Sequence, residues 1–191
     1  MARVAVVLFN LGGPDSPAAV RPFLFNLFND PAILRLPGIA RWLLAQLISR
    51  RRAKVAAEIY AELGGKSPLL DETRAQAAAL ETALGDGGET RVFVAMRYWH
   101  PMSQAVAGEV RAWRPDRVVL LPLYPQYSTA TTASSLQAWR RAAKAVGLTA
   151  PSHAICCYPT QAAFVAAQAA LIRPALETAQ AAGERVRLLL S

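Results

Sequence analysis

The sequence predicts an α/β fold, a doubly wound parallel sheet with helices on both faces. Hydrophobic residues make up 53% of the 191 residues and charged residues only 18%, which excludes a disordered chain. Short apolar runs of strand length alternate with longer segments of helical periodicity. Several of these runs end abruptly in polar loops that contain glycine or proline, as strands do at the carboxyl edge of a parallel sheet.

The first predicted strand begins near Val4 and ends at the turn Gly12-Gly13-Pro14. Ligands bind at the carboxyl edge of open α/β sheets, so this loop is a candidate for a functional site. Its glycines lack the spacing of a dinucleotide fingerprint, and no phosphate-loop lysine follows them. A helix that begins at Pro17 and ends before the sequence Asn29-Asp30-Pro31 is predicted next.

A long helical pattern over residues 39–63 places a wide apolar group beside a basic cluster. The apolar group includes Trp42, Leu43 and Leu47, and the cluster begins at Arg50. An amphipathic segment that contacts a membrane has this pattern, and so does a helix packed on its own domain with a solvated basic end. A further helix is predicted to end near Leu84.

Two more predicted strands are each followed by a loop of polar, aromatic and proline residues. Residues 92–96 lead into Arg97-Tyr98-Trp99-His100-Pro101, and residues 117–123 lead into Tyr124-Pro125-Gln126-Tyr127-Ser128. Since parallel strands end at one edge, these loops should lie near the first one. The hydroxyl-rich residues 128–135 then precede a helix, whose start they can cap and where an anion such as a carboxylate is favoured.

The last part of the chain predicts a fourth strand near residues 153–158, a helix over 160–182 and a fifth strand over 185–191. Cys156 and Cys157 provide neither a zinc pattern nor a disulfide framework, so we expect both to be buried in the core. The fifth strand stops without a following helix. We therefore predict a domain over residues 1–182 and the first strand of a truncated second domain over 183–191.

Composition also limits the compartment and the partners. No apolar stretch is long enough to span a bilayer and the N-terminus does not have the pattern of a signal peptide, so a cytoplasmic protein is expected. Lysine and arginine outnumber aspartate and glutamate by 21 to 13. The arginines are scattered through predicted helices without the aromatic interleaving of a nucleic-acid platform, so we expect an acidic small ligand or an anionic membrane surface, not nucleic acid.

Five motifs stand in order along the whole chain. They are Asn10-Leu11-Gly12-Gly13-Pro14, Leu27-Phe28-Asn29-Asp30-Pro31, Tyr60 with Gly64-Gly65-Lys66-Ser67-Pro68, Arg97-Tyr98-Trp99-His100-Pro101, and Tyr124-Pro125-Gln126-Tyr127-Ser128 with Thr131-Thr132 and Ser134-Ser135. Together they resemble the motifs of ferrochelatases, the enzymes that insert ferrous iron into a porphyrin at the end of haem synthesis. The resemblance implies a chelatase-like, flavodoxin-like fold of two similar domains with the porphyrin between them, of which this chain is the N-terminal one.

The resemblance also implies which residues bind the porphyrin. Leucine cannot ligate iron, so Leu11 could only pack on the macrocycle. Two arginines at the cleft lip could meet the propionates. The complete implied set is Leu11, Arg51, Arg52, Tyr60, Ser67, Arg97, Tyr98, Tyr127, Ser128 and Thr132.

By the same resemblance, the metal-site histidine and glutamate of the family lie beyond Ser191. We therefore expect no catalytic or metal-ligating residue in this chain, with Fe²⁺ as a substrate and no cofactor. Thr129 falls where animal enzymes carry a cysteine of an iron–sulfur cluster, so no such cluster is expected. His100 is interpreted as structural support.

The resemblance implies a lyase that inserts Fe²⁺ into protoporphyrin or coproporphyrin, with the porphyrin and ferrous iron as its partners. The apolar and basic segment from Trp42 to Arg52 makes peripheral membrane contact a further option. These 191 residues alone are expected to be inactive. Two alternatives stay open: a non-catalytic porphyrin- or haem-binding domain, and a related tetrapyrrole metal chelatase.

Overall fold

The computed structural model describes residues 2–85 and 89–189. The chain divides into two compact units, Met1–Cys156 and Cys157–Ser191. The first unit contains a four-stranded parallel sheet in the order β2-β1-β3-β4. Its strands are β1 (Arg3–Asn10), β2 (Glu89–Met96), β3 (Arg117–Pro122) and β4 (Ser152–Ala154).

Six helices are present in the described part of the chain. A short 3-10 turn, Pro17–Ala19, leads into the first of them, and a π-helical turn, Thr129–Ala133, leads into the fifth. The helices are α1 (Val20–Phe28), α2 (Gly38–Glu62), α3 (Leu69–Leu84), α4 (Ser103–Trp113), α5 (Ser134–Val146) and α6 (Ala162–Ala181). The helices that the sequence predicts over 39–63, up to Leu84 and over 160–182 are confirmed.

The central strand β1 is buried on both faces. Val6 pairs with Val92 on one side and with Val119 on the other. On one face Phe9 packs edge-on against Trp139 of α5, with ring centroids 5.8 Å apart, in a cluster that also includes Val106 of α4. On the opposite face Val6 and Leu8 pack against Ala77 of α3. The predicted doubly wound α/β architecture is therefore confirmed.

A third apolar cluster lies beside the end of β2. Val20, Phe23 and Leu24 of α1 pack against the fully buried Tyr98, which follows β2 in the chain. Partly buried residues of α2, including Tyr60, cover this cluster. The helix pair α1–α2 is thus packed against the edge of the sheet where the strands end.

Three expectations for the last part of the chain differ from the structure: the length of the fourth strand, the burial of the two cysteines and the fifth strand. β4 is only three residues long, and the prediction that Cys156 and Cys157 are buried is wrong, since both are exposed. The reason is that β4 pairs with β3 alone among the described strands, so its exposed side chains and those after it do not enter the core. Residues 185–189 form no strand, and 190 and 191 lie outside the described residues. The division at residue 182 stays a prediction.

Among the described residues, no helix has both the length and the apolar character required to cross a bilayer.

Candidate functional site

Backbone hydrogen bonds join the loops at the carboxyl edge of the sheet. The N–H of Tyr98 donates to the carbonyl of Leu11 at 2.9 Å, which connects the loops after β2 and β1. The N–H of Ser67, just before α3, donates to the carbonyl of Pro14 at 2.8 Å. Three of the motifs that are far apart in the sequence therefore meet at one edge.

The glycines of the first loop allow this close approach. Gly12 has a φ of +84°, and a Cβ there would lie 3.0 Å from the backbone nitrogen of Trp99. A Cβ on Gly13 would lie 2.4 Å from both the Cβ and the Oγ of Ser67. Since real Cβ atoms do not approach so closely, a side chain at Gly13 would push the loop before α3 away.

A buried carboxylate connects three of the loops. Asp30, 5% exposed, follows α1 and accepts three hydrogen bonds on Oδ2. They come from Nη2 of Arg97 at 2.5 Å, from the hydroxyl of Tyr98 at 2.9 Å and from Oγ of Ser134 at 2.6 Å. Its Oδ1 accepts the N–H of Ala32 at 2.8 Å. Arg97 also donates from Nε to Ser134 at 2.7 Å, so the network is closed.

The network sets the protonation of its members. Burial would raise the pKa of Asp30, but the hydrogen bonds from Ser134 and Ala32 and the charge of Arg97 outweigh it and lower that pKa. Burial, together with the hydrogen bond to Asp30 and the charge of Asp30, raises the pKa of Tyr98 well above its ordinary value. Asp30 is thus held as an acceptor-only carboxylate, and Tyr98 as a donor.

Leu11 and Tyr60 form the partly exposed apolar part of the site. Both pack against the cluster around Tyr98 and retain some accessible surface. Burial raises the pKa of Tyr60, so its phenol stays neutral. Since the two side chains share one cluster, the structure brings together these two predicted ring-contacting residues.

Two of the predicted contact residues are interior. Tyr98 and Thr132 are 0% exposed, so neither side chain offers surface to a ligand in this structure. Both side chains support the neighbouring loops here, and their contact with the porphyrin stays a prediction. The ring of Tyr98 packs against α1, and its hydroxyl donates to the buried Asp30. Thr132 lies inside the π-helical turn, and its Oγ1 has no hydrogen-bond partner in the described structure.

Ser128 and Tyr127 differ in their surroundings. Ser128 caps the π-helical turn, because its Oγ accepts the N–H of Thr131 at 3.1 Å and lies 2.6 Å from Oγ1 of Thr131. A hydroxyl of this segment therefore caps the π-helical turn, while the start of α5 itself, after Ala133, has no side-chain cap. Tyr127 is 55% exposed and can therefore contact a ligand.

The two predicted lip arginines lie on the exposed surface of α2. The guanidinium carbon of Arg52 is 5.9 Å from the ring centroid of Phe28, a loose cation–π contact that does not occupy its N–H groups. Arg51 is exposed as well. Contact of these two guanidinium groups with the propionates stays a prediction.

Ser67 lines a polar cavity of about 360 Å³ beside the first loop. Lys66 and Asp71 form an exposed ion pair of 2.6 Å at this cavity, and His100 lies in its wall. Arg97 lines a different cavity, so the predicted contact residues Ser67 and Arg97 do not lie in the same cavity. In residues 2–85 and 89–189, no group of three or more His, Cys, Asp or Glu side chains could hold a metal ion.

Sequence patterns do not reveal the importance of Asp30 and Ser134. They place Asp30 only in a helix stop and Ser134 only among several hydroxyls. A signal was present, because Arg97 follows a buried strand and a partly buried guanidinium requires a carboxylate partner. The sequence offers thirteen acidic residues, however, and nothing local indicates which of them it would be.

Comparison with known proteins gives a consistent result. A family model described as ferrochelatase matches residues 3–191. The ferrochelatase of Phenylobacterium zucineum (strain HLK1) is 55% identical over 192 residues, which cover 99% of this chain and 55% of the relative. That of Caulobacter vibrioides (strain NA1000 / CB15N) is 53% identical and covers 99% and 54%. That of Hyphomonas neptunium (strain ATCC 15444) is 54% identical and covers 99% and 53%.

The chain thus spans about half the length of these curated relatives. The match extends over nearly the whole chain and includes every loop at the carboxyl edge of the sheet. On this evidence the chain belongs to the ferrochelatase family.

Proposed function

We propose that this chain forms one wall of a site at which Fe²⁺ is inserted into a porphyrin during haem biosynthesis. The main support is the convergence of the loops after β1 and β2 with the end of α2 at one edge of the sheet. There Leu11 and Tyr60 pack on a common cluster. The family of the chain and the names of its relatives agree with this chemistry.

The residue types suit a porphyrin, which is a large flat apolar disc with carboxylates on its rim. Leu11 and Tyr60 provide apolar and aromatic surface for the disc, and Arg51 and Arg52 provide cations for the carboxylates. The Asp30 network holds the loops that carry these surfaces. We assign the residues of this chain to binding the ring and not to metal delivery or proton removal.

Porphyrin binding tests this assignment. In the double variant Arg51→Gln, Arg52→Gln, two charge-assisted contacts to the propionates are lost. We expect the dissociation constant, measured from the change of the Soret band on titration, to rise about tenfold. Tyr60→Ala should weaken binding by a similar factor through loss of ring contact.

The matched control is the double variant Arg140→Gln, Lys144→Gln. It removes the same charge from an exposed part of α5 away from the loops. If it weakens porphyrin binding as much as the α2 variant, the effect is one of net charge and the assignment fails.

The insertion reaction itself is tested in a chimera. This chain replaces the matching residues of the Phenylobacterium zucineum ferrochelatase, to which it is 55% identical. Insertion of Fe²⁺ into porphyrin by the folded chimera is the expected result. A folded chimera that binds porphyrin without inserting iron would instead favour the alternative of a non-catalytic porphyrin-binding domain.

We further propose that α2 contacts an anionic membrane surface. Its inner side packs through Ala45 and Ser49, while Ile39 and Leu43, one turn apart, are 81% and 57% exposed. Arginines at positions 50–52 follow this apolar stripe. An exposed apolar stripe next to basic residues is the pattern of helices that lie in a membrane interface.

For the variant Ile39→Asp, Leu43→Asp, we expect binding to phosphatidylcholine–phosphatidylserine vesicles, measured by co-sedimentation, to fall at least about tenfold. Leu171→Asp is the control, because Leu171 is 78% exposed on α6. Equal loss in both variants, or no binding by the unchanged chain, would contradict this proposal.

A further inference from the structure

A second cavity, of about 410 Å³, lies between the start of α4 and the middle of α5. This volume is within the range of small-molecule sites. Two arginines and no carboxylate are found among the described residues that line this cavity. The lining residues are Arg97, Met102, Ser103, Gln104, Ala138, Arg141, Ala142 and Ala145.

Ser103 is the most informative residue of this wall. It is only 8% exposed as a residue, and it lines the cavity. In the described part of the chain its hydroxyl makes no hydrogen bond and is not among the fully buried polar atoms, so it is accessible from the cavity and free to bond water or a ligand. Ser103 is also the first residue of α4, an eleven-residue helix whose preceding residue Met102 supplies no side-chain cap. The free N–H groups of a helix start favour an anion.

The two guanidinium groups add positive charge to this helix start. Arg97 uses Nε and Nη2 for Ser134 and Asp30, which leaves Nη1 for a ligand. Arg141 is exposed and makes one long hydrogen bond, 3.3 Å, to Gln137. Both arginines could therefore turn donors toward an anion in the cavity.

The rest of the wall is apolar. Ala138, Ala142 and Ala145 recur at helical spacing along one side of α5, and Met102 lies at the start of α4. Small side chains leave room for a ligand's hydrocarbon part beside the charged groups.

We propose that this cavity binds a small anion with an apolar body, its carboxylate or phosphate head against Arg97, Arg141 and Ser103 and its hydrocarbon part against the alanines of α5. This site does not depend on the proposed function. Because Arg97 also bonds Asp30, a ligand here would share a guanidinium with the buried network at the sheet edge.

Calorimetric titration of the 191-residue chain with hexanoate and with hexyl phosphate, at constant ionic strength, tests the site. Saturable binding of either one is expected, and the tighter of the two identifies the preferred head group. Arg141→Gln should weaken binding about tenfold, and Ser103→Ala several-fold.

The matched control is Arg140→Gln. Arg140 directly precedes Arg141 on α5 but lies outside this cavity. Its substitution removes the same charge, so the affinity for the ligand should change by less than about twofold. Inorganic phosphate, which lacks the hydrocarbon part, should bind more weakly than hexyl phosphate. Absence of saturable binding, equal effects of the Arg140 and Arg141 substitutions, or equal affinity for hexanol would overturn the proposal.

Discussion

Replacing Asp30 by alanine is expected to lower the free energy of unfolding of the sheet-containing unit by about 3–5 kcal/mol, because it leaves a partly buried arginine without its partner. Arg97, Tyr98 and Ser134 all donate to Oδ2 of this carboxylate. Removing the carboxylate takes the shared acceptor away from all three donors at once, and only Tyr98 has a second acceptor, the carbonyl of Ala130 at 3.4 Å, among the described bonds of these three groups. A buried donor without a partner costs more free energy than an ordinary hydrogen bond contributes.

Urea unfolding followed by tryptophan fluorescence measures this effect. The chain has four tryptophans, and all of them lie in the first unit, so the signal reports on that unit alone. Asp71→Ala is the control. It breaks an ion pair on the surface, with Lys66, and should leave the urea midpoint almost unchanged.

The pH dependence gives a second readout of the same substitution. The pKa of Asp30 is lower in the folded chain than in the unfolded chain, where it is about 4. The stabilisation that the ionised carboxylate provides is therefore complete above pH values of about 4. The contribution is lost as the pH falls through the lower folded value. The stability difference between the unchanged chain and the alanine variant should therefore narrow in acid. A difference that is small at neutral pH, or that widens in acid, would contradict our account of the network.

Gly13→Ala is expected to lower the free energy of unfolding by about 1–3 kcal/mol, the usual cost of forcing extra volume into a packed region. The new Cβ would lie 2.4 Å from the Cβ of Ser67, an atom that cannot move without its backbone. Relief requires the segment before α3 to shift and weakens the bond from the Ser67 N–H to Pro14. Urea unfolding followed by tryptophan fluorescence measures the change.

Two further variants separate the clash from a general effect of replacing glycine. At Gly108, inside α4, an added Cβ meets nothing within 4 Å, so alanine there should stabilise the helix by up to about 1 kcal/mol. Adding Ser67→Gly to the Gly13→Ala variant removes the atoms that clash and should restore most of the loss. If the double variant is no more stable than Gly13→Ala alone, the contact with Ser67 is not the cause.

Much of the fold was predictable because its signals are local. Each strand of the sheet interior is a short apolar run, and a run such as that around Val6 has to be buried on both faces. Turn residues mark where the runs end, as at Gly12. The edge strand β4 was the exception. Its core-like sequence predicted burial of Cys156, but the burial of a strand depends on its neighbours, which periodicity does not reveal.

The amino-acid sequence by itself determined the α/β class, the order of the loops that follow the strands and the resemblance to one family. Apolar periodicity, turn residues and short motifs are all read from neighbouring positions, so they need no tertiary structure. Only the tertiary structure decided which loop residues point inward. Asp30 meets Arg97 and Ser134 across 67 and 104 positions of chain. Tyr98 is interior because its ring packs in the apolar cluster of α1 while its hydroxyl donates to the buried Asp30, whereas Tyr127 stays exposed.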